Sequence, residues 1–166
     1  MTRKWTLYQL IIIVLFVASA AFAVHAHISA TSNRNVEIPP FESSVETGEP
    51  DVDPSLEYAQ VNGDGMPYTF HVCGVFTVEN DLHKATVYFA NDEDNDVLLK
   101  LEAYDDAGSL VGETGLVKPG EYVESVSLDT VFDDGDNVEL RVVGYEPDTY
   151  YSAGNVTLRT IVSTGA

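Results

Sequence analysis

The 166-residue chain has a single cysteine, Cys73, and only eight Lys and Arg against 27 Asp and Glu. One cysteine excludes an internal disulfide, and with it any Cys-x-x-Cys redox or zinc motif. Cys73 lies in the strand-like run Tyr68 to Val78, where a free thiol packs as a small apolar side chain. The shortage of cations leaves a formal net charge of −19, which makes nucleic acid and anionic lipid headgroups poor partners. Phosphate-cradling loops are missing too. Gly112, Gly115 and Gly120 break up strands around Pro119, and the helix that phosphate sites use does not follow them. No serine or cysteine nucleophile motif such as Gly-x-Ser-x-Gly occurs, and no amphipathic helical stretch stands out.

The one long apolar run is Trp5 to Ala26, preceded by Arg3 and Lys4. At roughly 1.5 Å per helical residue it is long enough to cross a hydrocarbon core of about 30 Å. It reads as a single membrane span, with residues 1–26 as a signal anchor. Arg3 and Lys4 favour a cytoplasmic N-terminus and an extracellular C-terminal domain. Ala-x-Ala endings at Ala18/Ala20 and Ala21/Ala23 offer the alternative of a cleaved signal peptide and a secreted protein. Length favours the retained anchor. Beyond the span lie all 27 carboxylates and six of the eight cations, so the outward part carries a formal charge of −21. Its plainest meaning is solubility and mutual repulsion at a crowded cell surface.

Residues 27–66 lose periodicity and gain breakers, among them Pro39-Pro40, Gly48, Pro50, Pro54 and Gly63-Asp-Gly65. They read as a linker or stalk, with Phe41, Leu56 and Tyr58 able to dock onto a following module. Residues 67–166 have the size of one small domain and a period of two. Tyr68 to Val78, Ala85 to Phe89, Val97 to Ala103, Ser109 to Gly112, Glu121 to Leu128, Asn137 to Tyr145 and Asn155 to Val162 are seven strand candidates. Turn chemistry separates them at Asp105-Asp-Ala-Gly108, Lys118-Pro-Gly120 and Asp133-Asp-Gly-Asp136. The expectation is an all-β, antiparallel, immunoglobulin-like sandwich of about seven strands. Its buried face should hold Phe70, Val72, Val87, Phe89, Leu99, Leu101, Val126, Leu128, Leu140, Val142, Val156 and Leu158. Lys100 should alternate outward and keep its head in solvent.

Three segments, Val87 to Leu101, Gly112 to Val123 and Tyr145 to Gly154, together with Ile38-Pro-Pro-Phe41, resemble small membrane-tethered all-β proteins of Gram-positive gut bacteria. The resemblance runs from Tyr68 to Val162 in the same order. It implies a bacterial cell-surface setting and an anchored sandwich, and it transfers no activity, ligand or catalytic residue.

Candidate chemistry is sparse. Asn91-Asp-Glu-Asp-Asn-Asp96 gathers oxygen donors that suit a hard cation, with Asp92, Asp94 and Asp96 as weak calcium candidates. The glycine and the terminal glutamate of an EF-hand loop are missing. A solvated strand connection, its Asn and Asp side chains bonded to local amides, is therefore expected. His71 in a strand and His83 at a turn read as structural, as no triad partner accompanies them. Carboxylate pairs are too numerous to point to a glycosidase site. Tyr145, Tyr150 and Tyr151 mark a possible partner-binding loop at one end of the domain. The same rings can instead fold back and cap the core, which is the favoured arrangement. Asn155-Val-Thr157 matches a glycosylation triplet by accident, lying in a strand. No catalytic residue, cofactor, metal or small-molecule substrate is expected. The expected role is a non-catalytic accessory module, tethered through residues 5–26 and bound to another cell-envelope protein. The alternative is a structural subunit of a pilus, secretion or conjugation assembly. N-terminal sequencing of the membrane-extracted protein is expected to begin at or near Met1; a start at Ala21, Val24 or His27 would show that the anchor is cut.

Overall fold

A computed structural model describes residue 16 and residues 38–62, 65–79 and 83–164. The membrane span expected at residues 5–26 lies, Phe16 apart, outside the described residues, as do residues 27–37 of the expected stalk. Among the described residues no helix is long and apolar enough to cross a membrane. From Ile38 onward the chain forms one compact unit.

The unit is all-β. Its strands are β1 (Glu46–Thr47), β2 (Tyr58–Val61), β3 (Phe70–Cys73), β4 (Phe76–Val78), β5 (Lys84–Asn91), β6 (Leu98–Tyr104), β7 (Leu110–Glu113), β8 (Glu121–Ser127), β9 (Asn137–Tyr145) and β10 (Ser152–Thr164). They join into one curled ten-stranded sheet, ordered β1-β8-β5-β4-β10-β9-β6-β7, with β3 beside β5 and β2 outside β3. β10 makes the curl possible. Up to Ile161 it runs antiparallel to β9, and from Val162 to Thr164 it runs parallel to β4. At the far side the turn is completed by a bridge between Gly112 and Leu128 and by paired backbone bonds between Leu99 and Val117, 2.8 and 3.0 Å.

All seven expected strands are present, with two differences. The first run divides into β3 and β4 at Gly74-Val75. Across from it β5 carries a bulge, with Tyr88 at φ 40° and a register shift against β8 between Thr86 and Phe89. The extra residue bends β5, and the facing strand breaks where β5 bends. The second difference moves a boundary: the folded unit begins at Ile38, well before residue 67. β1 pairs with β8 and β2 with β3, so residues 38–61 are part of the sheet and its edge as well as a connection. Glu42 fastens their start. Its carboxylate accepts the Gly115, Ser43 and Ser44 amides at 2.8 to 3.0 Å. Partial burial pushes the Glu42 carboxyl up, but these bonds outweigh it and hold the group below its ordinary value. Gly115 is required there, because a Cβ would collide with the Glu42 backbone.

The core fills the inside of the curl. Phe70, Phe76, Phe89, Leu99, Leu101, Leu116, Leu140 and Val138 are among its most enclosed side chains. Phe76 meets Phe132 edge-on at 6.2 Å, and Phe70 lies 6.1 Å from Phe89. Val156 and Leu158, expected in the core, are only half-buried, because they sit on β10 where it forms the open border of its part of the sheet. Leu116 and Val117 are fully buried although turn-formers flank them: the bridges to Phe41 and Leu99 draw them in.

Lys100 is a correction. It is 8% exposed, not solvated at its head. Glu102 and Glu113 are directly opposed across β6 and β7. Lys100 Nζ sits 2.7 Å from Glu113 and 3.8 Å from Glu102, and so neutralises a repelling cross-strand pair. Two substitutions on β6 test this packing in denaturant melts. Leu101→Ala should cost about 2–5 kcal/mol through the cavity it leaves. Lys100→Ala should cost about 1–3 kcal/mol, because two carboxylates lose their shared cation; a loss under about 0.5 kcal/mol would mean that the lysine is dispensable to the sheet.

Candidate binding cleft

Two strand ends and two loops converge beside β3. Tyr58 begins β2 and His71 lies on β3, and since Tyr58 pairs with Cys73 the two rings are diagonal neighbours on one face. They stack, with centroids 5.6 Å apart and planes at 24°. The turn Pro54–Leu56 presents Tyr58. Asp53 caps it, accepting the Ser55 amide at 2.8 Å, and Glu57 takes a left-handed φ of 54° before the strand starts. The Gly74 N–H donates to Glu57 O at 3.1 Å and ties this turn to the break between β3 and β4.

The opposite wall is the connection from β5 to β6, and it is held by one buried amide. Asn91 is 2% exposed. Its Nδ2 donates to the carbonyls of Val97 and Val117, both at 2.9 Å, and its Oδ1 accepts from Asn95 Nδ2 at 2.7 Å. Asn95 in turn bonds both backbone groups of Thr69. Asp92 Oδ1 accepts the Asp94 amide at 3.1 Å, closing a local turn. The Asn91 carbonyl accepts the Gly120 amide at 2.9 Å, and Gly120 O accepts the Gly48 amide at 3.1 Å. Gly120 and Gly48 have φ values of 77° and 95°, a conformation that glycine takes without strain.

Together these elements enclose a cleft of about 410 Å³, lined by Glu49, Pro50, Tyr58, His71 and the residues Asn91 to Asp94, with Gly48, Ala90 and Gly120 at its sides. Glu49, Asp92, Glu93 and Asp94 make its rim acidic. Burial, with Cys73, Glu49 and Tyr122 nearby, pushes the Tyr58 hydroxyl up to about 12. The ring pair and carboxylates offer an aromatic face beneath a negative rim, which suits a cation with an apolar stem.

Of the residues singled out by sequence, Asp92 and Asp94 line this cleft, while Asp96 is exposed outside its lining. Asp92 serves the loop's own turn, as expected for a solvated connection. Among the described residues no group of three or more His, Cys, Asp and Glu is placed to hold a metal ion. His71 acts in the stack, and His83 is exposed where its carbonyl accepts the Leu128 amide at 2.8 Å. Cys73 is buried, and burial pushes its thiol up to about 11, so it stays protonated at neutral pH. Tyr145 ends β9 half-buried. Tyr150 is half-buried at φ 55°, and Tyr151 is 58% exposed. The three lie on a tight β9–β10 hairpin closed by Glu146 and Tyr151, N–H to O at 2.9 Å, and none lines the cleft.

A second hollow, of about 390 Å³, was not anticipated. Tyr104, Asp105, Asp106, Asn137, Arg141 and Arg159 are among the residues that line it. Arg141 lies 4.3 Å over the Tyr104 ring, and Glu139 stands 3.7 Å from both Arg141 and Arg159. Its charges are largely answered within the wall, whereas among the described residues no Lys or Arg lies within 4.0 Å of Glu49, Asp92, Glu93 or Asp94. The out-facing phase of β6 and β9, Tyr104 with Glu139 and Arg141, carried the signal for it.

No protein-family description matches the chain, and no curated protein resembles it in sequence. Substitution separates scaffold from rim. Asn91→Ala should destabilise by about 1–3 kcal/mol, since Val97 O loses the Asn91 donor inside the core while Val117 O keeps the Leu99 N–H. Asp94→Asn should stay within about 0.5 kcal/mol; equal losses in denaturant melts would show that the loop does not depend on the buried amide.

Proposed function

We propose that the chain is a single-pass, membrane-tethered module of the bacterial cell envelope. Its outward domain, of immunoglobulin-like sandwich build, binds a partner protein and performs no catalysis. The anchor is the apolar run at residues 5–26. One observation carries the binding reading: the Tyr58–His71 stack is walled by Glu49, Asp92, Glu93 and Asp94. An acidic rim above aromatic faces selects a cationic side chain whose stem lies on the rings and whose charge meets the carboxylates. The partner group is therefore a Lys or Arg on a basic segment of another envelope protein. An anionic or purely apolar ligand would leave the rim uncompensated.

The long-range charge adds to this. A formal −19 attracts basic segments from a distance and speeds their encounter, an effect that salt screens. Titrating the full chain with a lysine-bearing peptide, and with its norleucine counterpart, tests the reading. Saturable binding of the lysine peptide is expected, with loss of about tenfold in affinity for norleucine and for Tyr58→Leu. Binding that is indifferent to both changes, or absent for the lysine peptide, would overturn it.

A further inference from the structure

His71 pairs with Gln60 of β2 on one side and with Ala90 of β5 on the other, and Ala90 pairs in turn with Tyr122 of β8. Opposed residues share a face, so these side chains form one row across the sheet, on the face away from the core residues Phe70 and Val72. Cys73, two positions beyond His71, lies on the same face and is paired with Tyr58. The half-buried imidazole is thus part of the cleft wall, with Tyr58 stacked on it at 5.6 Å and with Glu49, Asp92, Glu93 and Asp94 lining the same space.

The groups around His71 divide by the pH at which their type changes charge. Burial pushes the Tyr58 hydroxyl up to about 12 and the Cys73 thiol up to about 11. The Tyr122 hydroxyl, which donates to Glu46 of β1 at 2.7 Å, is held up at about 12 by that bond, and burial with Glu124 nearby raises Tyr88 of β5. These groups keep their protons near neutral pH. Carboxyl groups as a class lose theirs below about pH 5, whereas histidine is the side chain whose ordinary change of charge falls between about pH 5 and 8. No Lys or Arg among the described residues lies within 4.0 Å of the rim carboxylates. A protonated His71 is therefore the cation that the cleft can raise from its own wall.

We propose that His71 is a proton-operated gate on this cleft, admitting a Lys or Arg side chain while neutral and shutting it out once protonated. The gate rests on the cation-binding reading of the cleft and adds its regulation. Two effects act in the same direction. The imidazolium takes for itself the Tyr58 face and the negative field of the rim, which are the features that a partner cation uses, and it sets a like charge beside any cation that enters. Proton and partner thus compete for one site, and each lowers the affinity for the other by the same factor. Affinity is full where His71 is neutral and falls as acid protonates it, so the domain holds a basic segment at neutral pH and releases it on acidification.

Calorimetric titration of the full chain, in non-ionic detergent at fixed salt, with a lysine-bearing peptide of blocked termini tests the gate. Affinity should fall by about tenfold between about pH 7.5 and pH 5.5, a range in which lysine itself stays charged. His71→Phe keeps a ring against Tyr58 and removes the proton, so it should bind as tightly at the lower pH as at the higher. Imidazole NMR of the unsubstituted protein gives a second reading: saturating peptide should move the His71 midpoint to lower pH and leave that of His83, which does not line the cleft, in place. Absence of binding at both pH values would overturn the cleft reading and the gate with it. Equal binding at both, a pH dependence that persists in His71→Phe, or a His71 midpoint indifferent to the peptide would overturn the gate alone.

Discussion

A primary amide inside an apolar core is tolerated only when its hydrogen-bonding groups are met, and Asn91 meets that condition by joining segments distant in sequence. Its bonds reach the start of β6 through Val97, the approach to β8 through Val117, and the acidic loop through Asn95. Each unmet partner would cost about 1–3 kcal/mol, so the amide sets the spacing between these segments. The shape of the cleft follows. The loop from Asp92 to Asp96 can be densely acidic because its geometry is held from beneath by neutral amides.

Among the described residues every Lys and Arg has a carboxylate within 4.0 Å: Lys84 with Glu79, Lys118 with Glu121, Arg141 and Arg159 with Glu139, and Lys100 with Glu102 and Glu113. Exposed pairs of this kind add little to stability. Their consequence lies elsewhere, since with the cations engaged the remaining carboxylates set the surface potential. Where those carboxylates border the Tyr58–His71 stack, the potential acquires a shape that a cation can fit.

β10 shows how one strand can serve two neighbours. Changing from β9 to β4 at Val162 joins the two parts of the sheet and brings Val162 into the core, 2% exposed. The same departure leaves the stretch before it paired on one side only. An open border and a curled sheet are thus two results of one change of partner. The half-buried Val156 and Leu158 lie along that border.

Period-two alternation was enough to locate the seven strands and most of the core, because a strand with one buried face must repeat its apolar side chains every second residue. Val87, Phe89, Leu99, Leu101, Leu140 and Val142 were legible in this way. The acidic loop was legible too, and its reading as a locally bonded connection matches the bond from Asp94 N–H to Asp92. Alternation carries no information about which strands become neighbours. That Tyr58 would stack on His71, that β1 and β2 would join the sheet from a proline-rich stretch, and that Lys100 would be enclosed between Glu102 and Glu113 are facts about cross-strand register. Register comes from long-range pairing, which local composition does not encode. Sequence alone determined the strands, the charge and the apolar N-terminal run; tertiary structure alone decided where aromatic and acidic groups meet and which edge stays open, because both depend on residues brought together from far apart in the chain.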